Sequence, residues 1–220
     1  MSTSNEVYVL HDGYSELKTT KEAAIPIMRA NCTCVLIRNA IHNVVIDSMT
    51  PWDTQKIKDS LKMYNLGPDQ IDFVVSTHGH SDHVGNNNLF LNATHVVGFS
   101  VSKGDEYYLH PFDKGVPFLI GEKNSADKIE IIPTPGHTMD SVSLVVNTKD
   151  NKTVVIAGDL FEKEADLKNH QVWIDAGSED KHLQEFHRIR MLDIADYIIP
   201  GHGPMFKVTD DIIKSYHKLS

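Results

Sequence analysis

The chain has 220 residues, 40% apolar and 23% charged, a balance that suits a globular protein with a sizeable core. Thirty Asp and Glu against 21 Lys and Arg give a net charge of −9, which argues against a broad basic face for nucleic acid. A local basic path, or positive charge carried by bound metal ions, stays compatible with that balance.

At the N-terminus, residues 1–6 lack the basic and apolar regions of a secretory signal. No apolar run approaches the roughly 20 residues of a membrane span. A reducing cytosol, with or without the nucleus, is the expected compartment. Residues 7–10 read as a first strand, and the polar stretch from Gly13 to Glu22 as a turn and exposed loop. Residues 32–37 and 44–47 read as a pair of strands. Cys32 and Cys34 would share one strand face and line a core rather than form a disulfide. Asp47 closes the second strand, where a carboxylate either braces a neighbouring site or simply makes the turn.

Thr50-Pro51-Trp52-Asp53 carries the signals of a helix start, with Thr as cap and Pro at the first position. That helix should run to about Asn65, bury Ile57 and Leu61, and end at Gly67-Pro68. Residues 71–76 then form a short buried strand that ends in Thr77-His78-Gly79-His80-Ser81-Asp82-His83. Three imidazoles and a carboxylate within six positions are the donors that zinc and similar borderline metals prefer. A short helix over residues 84–90 and a strand over 94–99 follow. Residues 102–126, which include Lys103, Tyr107, Tyr108, His110, Lys114 and Lys123, read as a long loop and a flap over the site. Its aromatics either stack a base or an acyl group, or merely anchor the loop.

The second half repeats one pattern: a strand, a tight turn, then a possible ligand. Residues 129–132 lead to Gly136-His137, residues 153–157 to Gly158-Asp159, and residues 197–199 to Gly201-His202. Each ligand sits beside a glycine, which lets backbone come close to a metal. Singly, each is an ordinary turn residue; the repetition is what singles out all three. Between them a polar helix is expected over about 179–195, with Leu183, Phe186, Arg190 and Ile194 as its stripe and Lys181, Arg188 and Arg190 on a solvated face or against a phosphate. A last helix begins near Thr209. Strands alternating with helices make this a layered α/β chain, read as one domain over 1–220.

His78-x-His80-x-Asp82-His83, Gly136-His137-Thr138, Gly158-Asp159 and Pro200-Gly201-His202-Gly203 together resemble the metallo-β-lactamase superfamily, in motif order and across nearly the whole chain. The resemblance implies an αββα sandwich of two mixed sheets flanked by helices. It implies two Zn²⁺ ions, with iron or manganese as alternatives: His78, His80 and His137 on one, Asp82, His83 and His202 on the other, Asp159 bridging. Asp47 and Asp140 are the candidates to fix imidazole tautomers, beside plain turn roles. True β-lactamases carry Cys or Ser where this chain has Asp159, and a bridging carboxylate suits phosphodiester and ester hydrolysis instead. Within the superfamily, the letters around 77–86, 157–162 and 200–204 match a branch of zinc endoribonucleases that act on histone pre-mRNA 3′ ends in cytosol and nucleus.

The expected function is therefore RNA hydrolysis. Two metals would share a water, lower its pKa towards about 7, and leave Asp82 to orient the resulting hydroxide. The alternatives are a small-molecule ester or thioester hydrolase of the hydroxyacylglutathione-hydrolase type, or a mononuclear iron enzyme acting on persulfides. RNA is the expected partner, no membrane is implied, and a homodimer is open.

Overall fold

The computed structural model describes residues 3–18 and 27–219. In chain order its first half contains β1 (Glu6–His11), β2 (Tyr14–Lys18), β3 (Ile27–Asn31), β4 (Cys34–Arg38), β5 (Asn43–Ile46), α1 (Thr54–Met63), β6 (Phe73–Ser76), α2 (Ser81–Val84), β7 (Thr94–Val97), β8 (Ser100–Lys103) and β9 (Glu106–Tyr107). The second half contains β10 (Phe118–Ile120), β11 (Ile129–Pro133), β12 (Val142–Asn147), β13 (Thr153–Gly158), α3 (Gln171–Asp175), α4 (Lys181–Ile194), β14 (Tyr197–Pro200), β15 (Phe206–Lys207) and α5 (Asp210–Leu219).

All of these strands except β2 and β3, which pair with each other, build two mixed sheets. One runs β1-β4-β5-β6-β7-β8-β9, with β5, β6 and β7 parallel. The other runs β10-β11-β12-β13-β14-β15, with β13 and β14 parallel. Their central strands, such as β4 and β13, read as continuous apolar runs because both faces are covered. In β4, Val35 and Ile37 join the core between the sheets, while Cys34 and Leu36 meet Ile57 and Leu61 of α1. Val155, Ala157 and Ile198 of the second sheet pack beneath Met191 and Leu192 of α4 and Tyr216 of α5. The order is helix, sheet, sheet, helix, the expected αββα sandwich. Cys32 and Cys34 are free and fully buried, as their spacing suggests. Among the described residues, no helix is long and apolar enough to cross a membrane.

Five sequence expectations are corrected. The loop from Gly13 is the start of a hairpin, β2 against β3, and the expected loop's residues 19–22 lie outside the described ones. Its strands are largely exposed, so no apolar alternation announced them. The expected helix at residues 84–90 is instead α2 followed by a 3₁₀ turn at Asn87–Leu89. Residues 102–126 are not one loop: β8 and β9 extend the first sheet and β10 edges the second. The helix start at Thr50 is a 3₁₀ turn over Pro51–Asp53, where the Thr50 hydroxyl donates to the Asp53 carboxylate at 2.5 Å rather than capping backbone.

The fifth correction concerns α4. Its buried residues are Gln184, His187, Arg188, Met191 and Leu192, whereas Phe186 and Ile194 are 55% and 47% exposed. Counting apolar residues picked the wrong face because the buried face is half polar. Arg188, expected on a solvated face, is fully buried. Its guanidinium donates to Asp166 Oδ1 at 2.7 Å, to the Leu160 carbonyl at 2.7 Å and to the Tyr216 hydroxyl at 2.6 Å. The Phe161 ring lies 4.2 Å away. A buried charge persists only when paired and hydrogen-bonded, and this one is both.

Arg188→Ala strands Asp166 as an unpaired buried carboxylate, so urea unfolding should show a loss of about 3–5 kcal/mol. The Arg188→Met/Asp166→Leu double variant should recover most of it, because an apolar pair has no charge to desolvate. His187 gives a pH signature. Burial and the neighbouring Arg190 push its pKa from 6.5 down to about 4. The folded state therefore keeps it neutral while the unfolded chain takes up a proton below about 6.5. That stability is full above pH 6.5 and lost as pH falls towards 4. His187→Gln should flatten the fall of the urea midpoint across that window.

Candidate metal centre

Every candidate ligand leaves the carboxyl end of a strand on one common edge, where open α/β sheets place their ligands. Thr77 to His83 follows β6, His137 follows β11, Asp159 follows β13 and His202 follows β14. The two sheets are joined at this edge, since the Val142 amide donates to the Thr77 carbonyl at 2.9 Å.

Two groups of donor atoms form there. In the first, His80 Nδ1 lies 2.8 Å from His78 Nε2 and 3.2 Å from His137 Nε2. Asp159 Oδ2 lies 3.6 Å from His78 Nε2 and 3.3 Å from His137 Nε2. In the second, Asp82, His83 and His202 bring their donor atoms within 4.8 Å of one another. Asp159 reaches two members of this group, with Oδ1 at 3.3 Å from His83 Nε2 and Oδ2 at 3.2 Å from His202 Nε2. Glu162, buried and not among the expected ligands, completes a further group with Asp159 and His202, 4.0 Å from His202 Nε2.

This set suits a cation. Ligands about 2.0–2.1 Å from a tetrahedral zinc lie roughly 3.3–3.4 Å apart, close to the spacings here. Asp82 Oδ2, His83 Nε2 and Asp159 Oδ1 are buried without a hydrogen-bond partner. Buried polar atoms are otherwise almost always paired, so three such atoms in one cluster call for an ion. Tautomers agree: His83 Nδ1 donates to Asp47 Oδ2 at 2.9 Å and His202 Nδ1 to the Asn31 carbonyl at 3.0 Å. Each ring then turns a free Nε2 lone pair towards the site.

The electrostatics tell the same story. Burial drives the His78 and His137 pKa values down and favours the neutral, ligating form. Burial also opposes charge on Asp159, but His83, His202 and His78 outweigh it and hold the carboxyl well below its usual range. Against burial, Asp47 and Asp159 raise His83, and Asp159 raises His202 to about 9. Burial and then Asp159 push Glu162 up to about 8. A negative charge this deep demands positive partners, and a bound ion replaces the protons that the imidazoles otherwise hold.

The surroundings hold Asp159 in place. Gly158 has φ +54°, a left-handed conformation glycine adopts without strain, and a Cβ there would sit 2.5 Å from Thr77 Oγ1. A Cβ on Gly201 would collide with Asp159 Oδ1. From the outer layer, Gln184 Nε2 donates to the Asp159 carbonyl at 3.0 Å, and Arg188 grips the next carbonyl, Leu160. Asp47 also accepts from the Thr77 amide at 2.8 Å and so ties the histidine turn to β5. Asp140 is exposed and accepts from Thr138 Oγ1 at 2.8 Å, while His137 Nδ1 has no partner. The residues that sequence reasoning missed are Glu162, Asn31 and Gln184. Glu162 lies three positions after Asp159, but spacing alone cannot tell a buried carboxyl from a surface one.

Comparison with known proteins places this geometry. The model of the metallo-beta-lactamase superfamily matches residues 28–202. Metallo-beta-lactamase domain-containing protein 1 of Xenopus laevis is 38% identical over 204 residues, 93% of this chain and 82% of that protein. The human protein of the same name is 38% identical over 75% of this chain, and the match spans 59% of its length. Among solved structures, a probable metal-dependent hydrolase from Staphylococcus aureus shares the fold with a TM-score of 0.65 at 16% identity, over 96% of this chain and 95% of that one.

Replacing Asp159 with Ala should remove at least half of the metal bound by the wild-type protein, measured by elemental analysis after dialysis. Retention of all the metal together with wild-type turnover would exclude a shared carboxylate at this position.

Proposed function

The chain belongs to the metallo-β-lactamase superfamily of metal-dependent hydrolases, and from that premise we propose a two-zinc hydrolase that cuts phosphodiester bonds in single-stranded RNA, such as the 3′ ends of histone pre-mRNA. The observation that carries the reading is Asp159, whose two oxygens serve both donor groups among three unpaired buried ligand atoms. In this reading His78, His80 and His137 hold one ion, and Asp82, His83 and His202 hold the other. When bound, such a pair acidifies water and stabilises the charge that develops on a non-bridging oxygen.

The protein's own groups do the rest. Asp47 and the Asn31 carbonyl hold His83 and His202 in the ligating tautomer. His78, His83, His137 and Asp159 are buried and close the inner side of the site to solvent. His80 is exposed and Asp82 half-buried, which marks the open side where substrate approaches. There Asp82, itself one of the ligands, would orient the attacking water towards phosphorus. The −9 charge leaves neutralisation of the scissile phosphate to the ions rather than to a basic face.

The same charge favours a second reading, hydrolysis of a neutral ester or thioester. One experiment separates the two. The zinc-loaded protein should cleave a single-stranded pre-mRNA fragment and leave a panel of acyl thioesters intact, and Asp82→Ala should slow cleavage by about 10²–10⁴-fold. Thioester turnover with untouched RNA would transfer the assignment to the second reading. One iron per chain, with no hydrolysis of either, would replace both with an iron enzyme.

A further inference from the structure

Beside the histidine turn lies a cleft of about 680 Å³, within the usual range of small-molecule pockets. Building on the RNA reading above, we propose that this cleft is a nucleobase pocket, which seats one unpaired base next to the scissile phosphate and selects for a base that carries an amino group.

Its position follows from the fold. β7 runs parallel to β6 and ends beside it, and the Gly98 amide donates to the Ser76 carbonyl at 3.0 Å, two residues before His78. Gly98 has φ +52°, and a Cβ there would lie 2.7 Å from Asp140. Asp140 lines the cleft and sits on the turn that carries His137, three positions further along the chain. Through Asp140 the cleft adjoins the turn that carries His137.

The cleft is also lined by Tyr107 and Tyr108, which are 66% and 51% exposed. Beneath them, Phe112 is buried and lies 5.4 Å from Phe99 and 6.1 Å from Phe118, and Tyr108 meets Phe118 at 6.2 Å. Phe112 belongs to the core between the sheets, so the floor is anchored rather than free to flap. Exposed aromatic faces on a fixed floor form a stacking platform, and every base has a face to stack.

The polar groups supply the selection. Asp113 and Asp140 line the cleft together with Ser100 and His110, and none of its described lining side chains is Lys or Arg. Carboxylates accept hydrogen bonds and cannot donate them. The exocyclic amino groups of cytosine, adenine and guanine donate to such acceptors, whereas the uracil edge offers a single N3–H flanked by two carbonyl oxygens that a carboxylate repels. Thr138 engages Asp140 Oδ1, which leaves Oδ2 to accept from a base. A purely apolar acyl chain is a poorer occupant, because it would desolvate both carboxylates without a partner. A phosphate is poorer still, since it would face two like charges.

Two measurements test this on the full zinc-loaded chain. Calorimetry should show CMP and AMP binding at least tenfold more tightly than UMP or ribose 5-phosphate. Asp113→Asn should narrow the gap between CMP and UMP, and the Tyr107→Ala/Tyr108→Ala double variant should bring CMP close to ribose 5-phosphate. In cleavage, short oligonucleotides that differ at one base should follow the same order. The double variant should lower the ratio of RNA turnover to turnover of bis(p-nitrophenyl) phosphate, a diester without a base, by at least tenfold. Equal binding of CMP and ribose 5-phosphate by the wild type, or a CMP preference that survives the tyrosine substitutions, would overturn the pocket. Tyrosine-dependent preference for CMP with RNA left uncut would keep the pocket and remove the RNA reading instead.

Discussion

One buried carboxylate organises this molecule. Asp159 is 5% exposed and has imidazole nitrogens of His78, His83, His137 and His202 within 3.6 Å. Ionised in the interior, it is stable only with positive charge around it, and the four rings, drawn from three separate strand ends, are positioned to supply or hold that charge. Much of the neighbouring chain follows from where this group must sit: the left-handed turn at Gly158, the missing side chain at Gly201, and the amide hydrogen bond from Gln184.

The constraint reaches outward through the second sheet. The segment after Asp159 is held by Arg188, which binds the Leu160 carbonyl and Asp166, and Asp166 in turn accepts from the Glu162 amide at 2.8 Å. An outer helix that would ordinarily bury only an apolar stripe thus buries a charge and an amide as well. This links packing to chemistry: the polar face of α4 is the back support of the site. The exposed β2–β3 hairpin plays the matching part on the other side, since Asn31 at its end accepts from His202 Nδ1. An element with no buried apolar face is retained there because it sets a tautomer.

The histidine turn was legible in the sequence because its ligands are neighbours in the chain, and six positions suffice to display them. His137, Asp159 and His202 were legible by a different route, the repeated order of apolar strand, glycine turn and donor. The core strands were readable because they are covered on both faces and so are uniformly apolar. The hairpin, the face of α4 and the strands within residues 102–126 were not. Periodicity reports the burial of apolar groups, and these elements either bury polar groups or bury little.

What the amino-acid sequence determined by itself is the set of donors, the strand ends that deliver them and the family that shares the pattern. What the tertiary structure alone decided is which donors meet: that Asp159 faces both groups, that Glu162 joins them, that Asp47 turns to His83, and that Arg188 points inward rather than to solvent. The reason is physical. Local spacing dictates which residues a strand or turn presents, but a carboxylate is buried or exposed according to partners more than twenty residues away, and only the folded chain brings those partners within hydrogen-bonding distance.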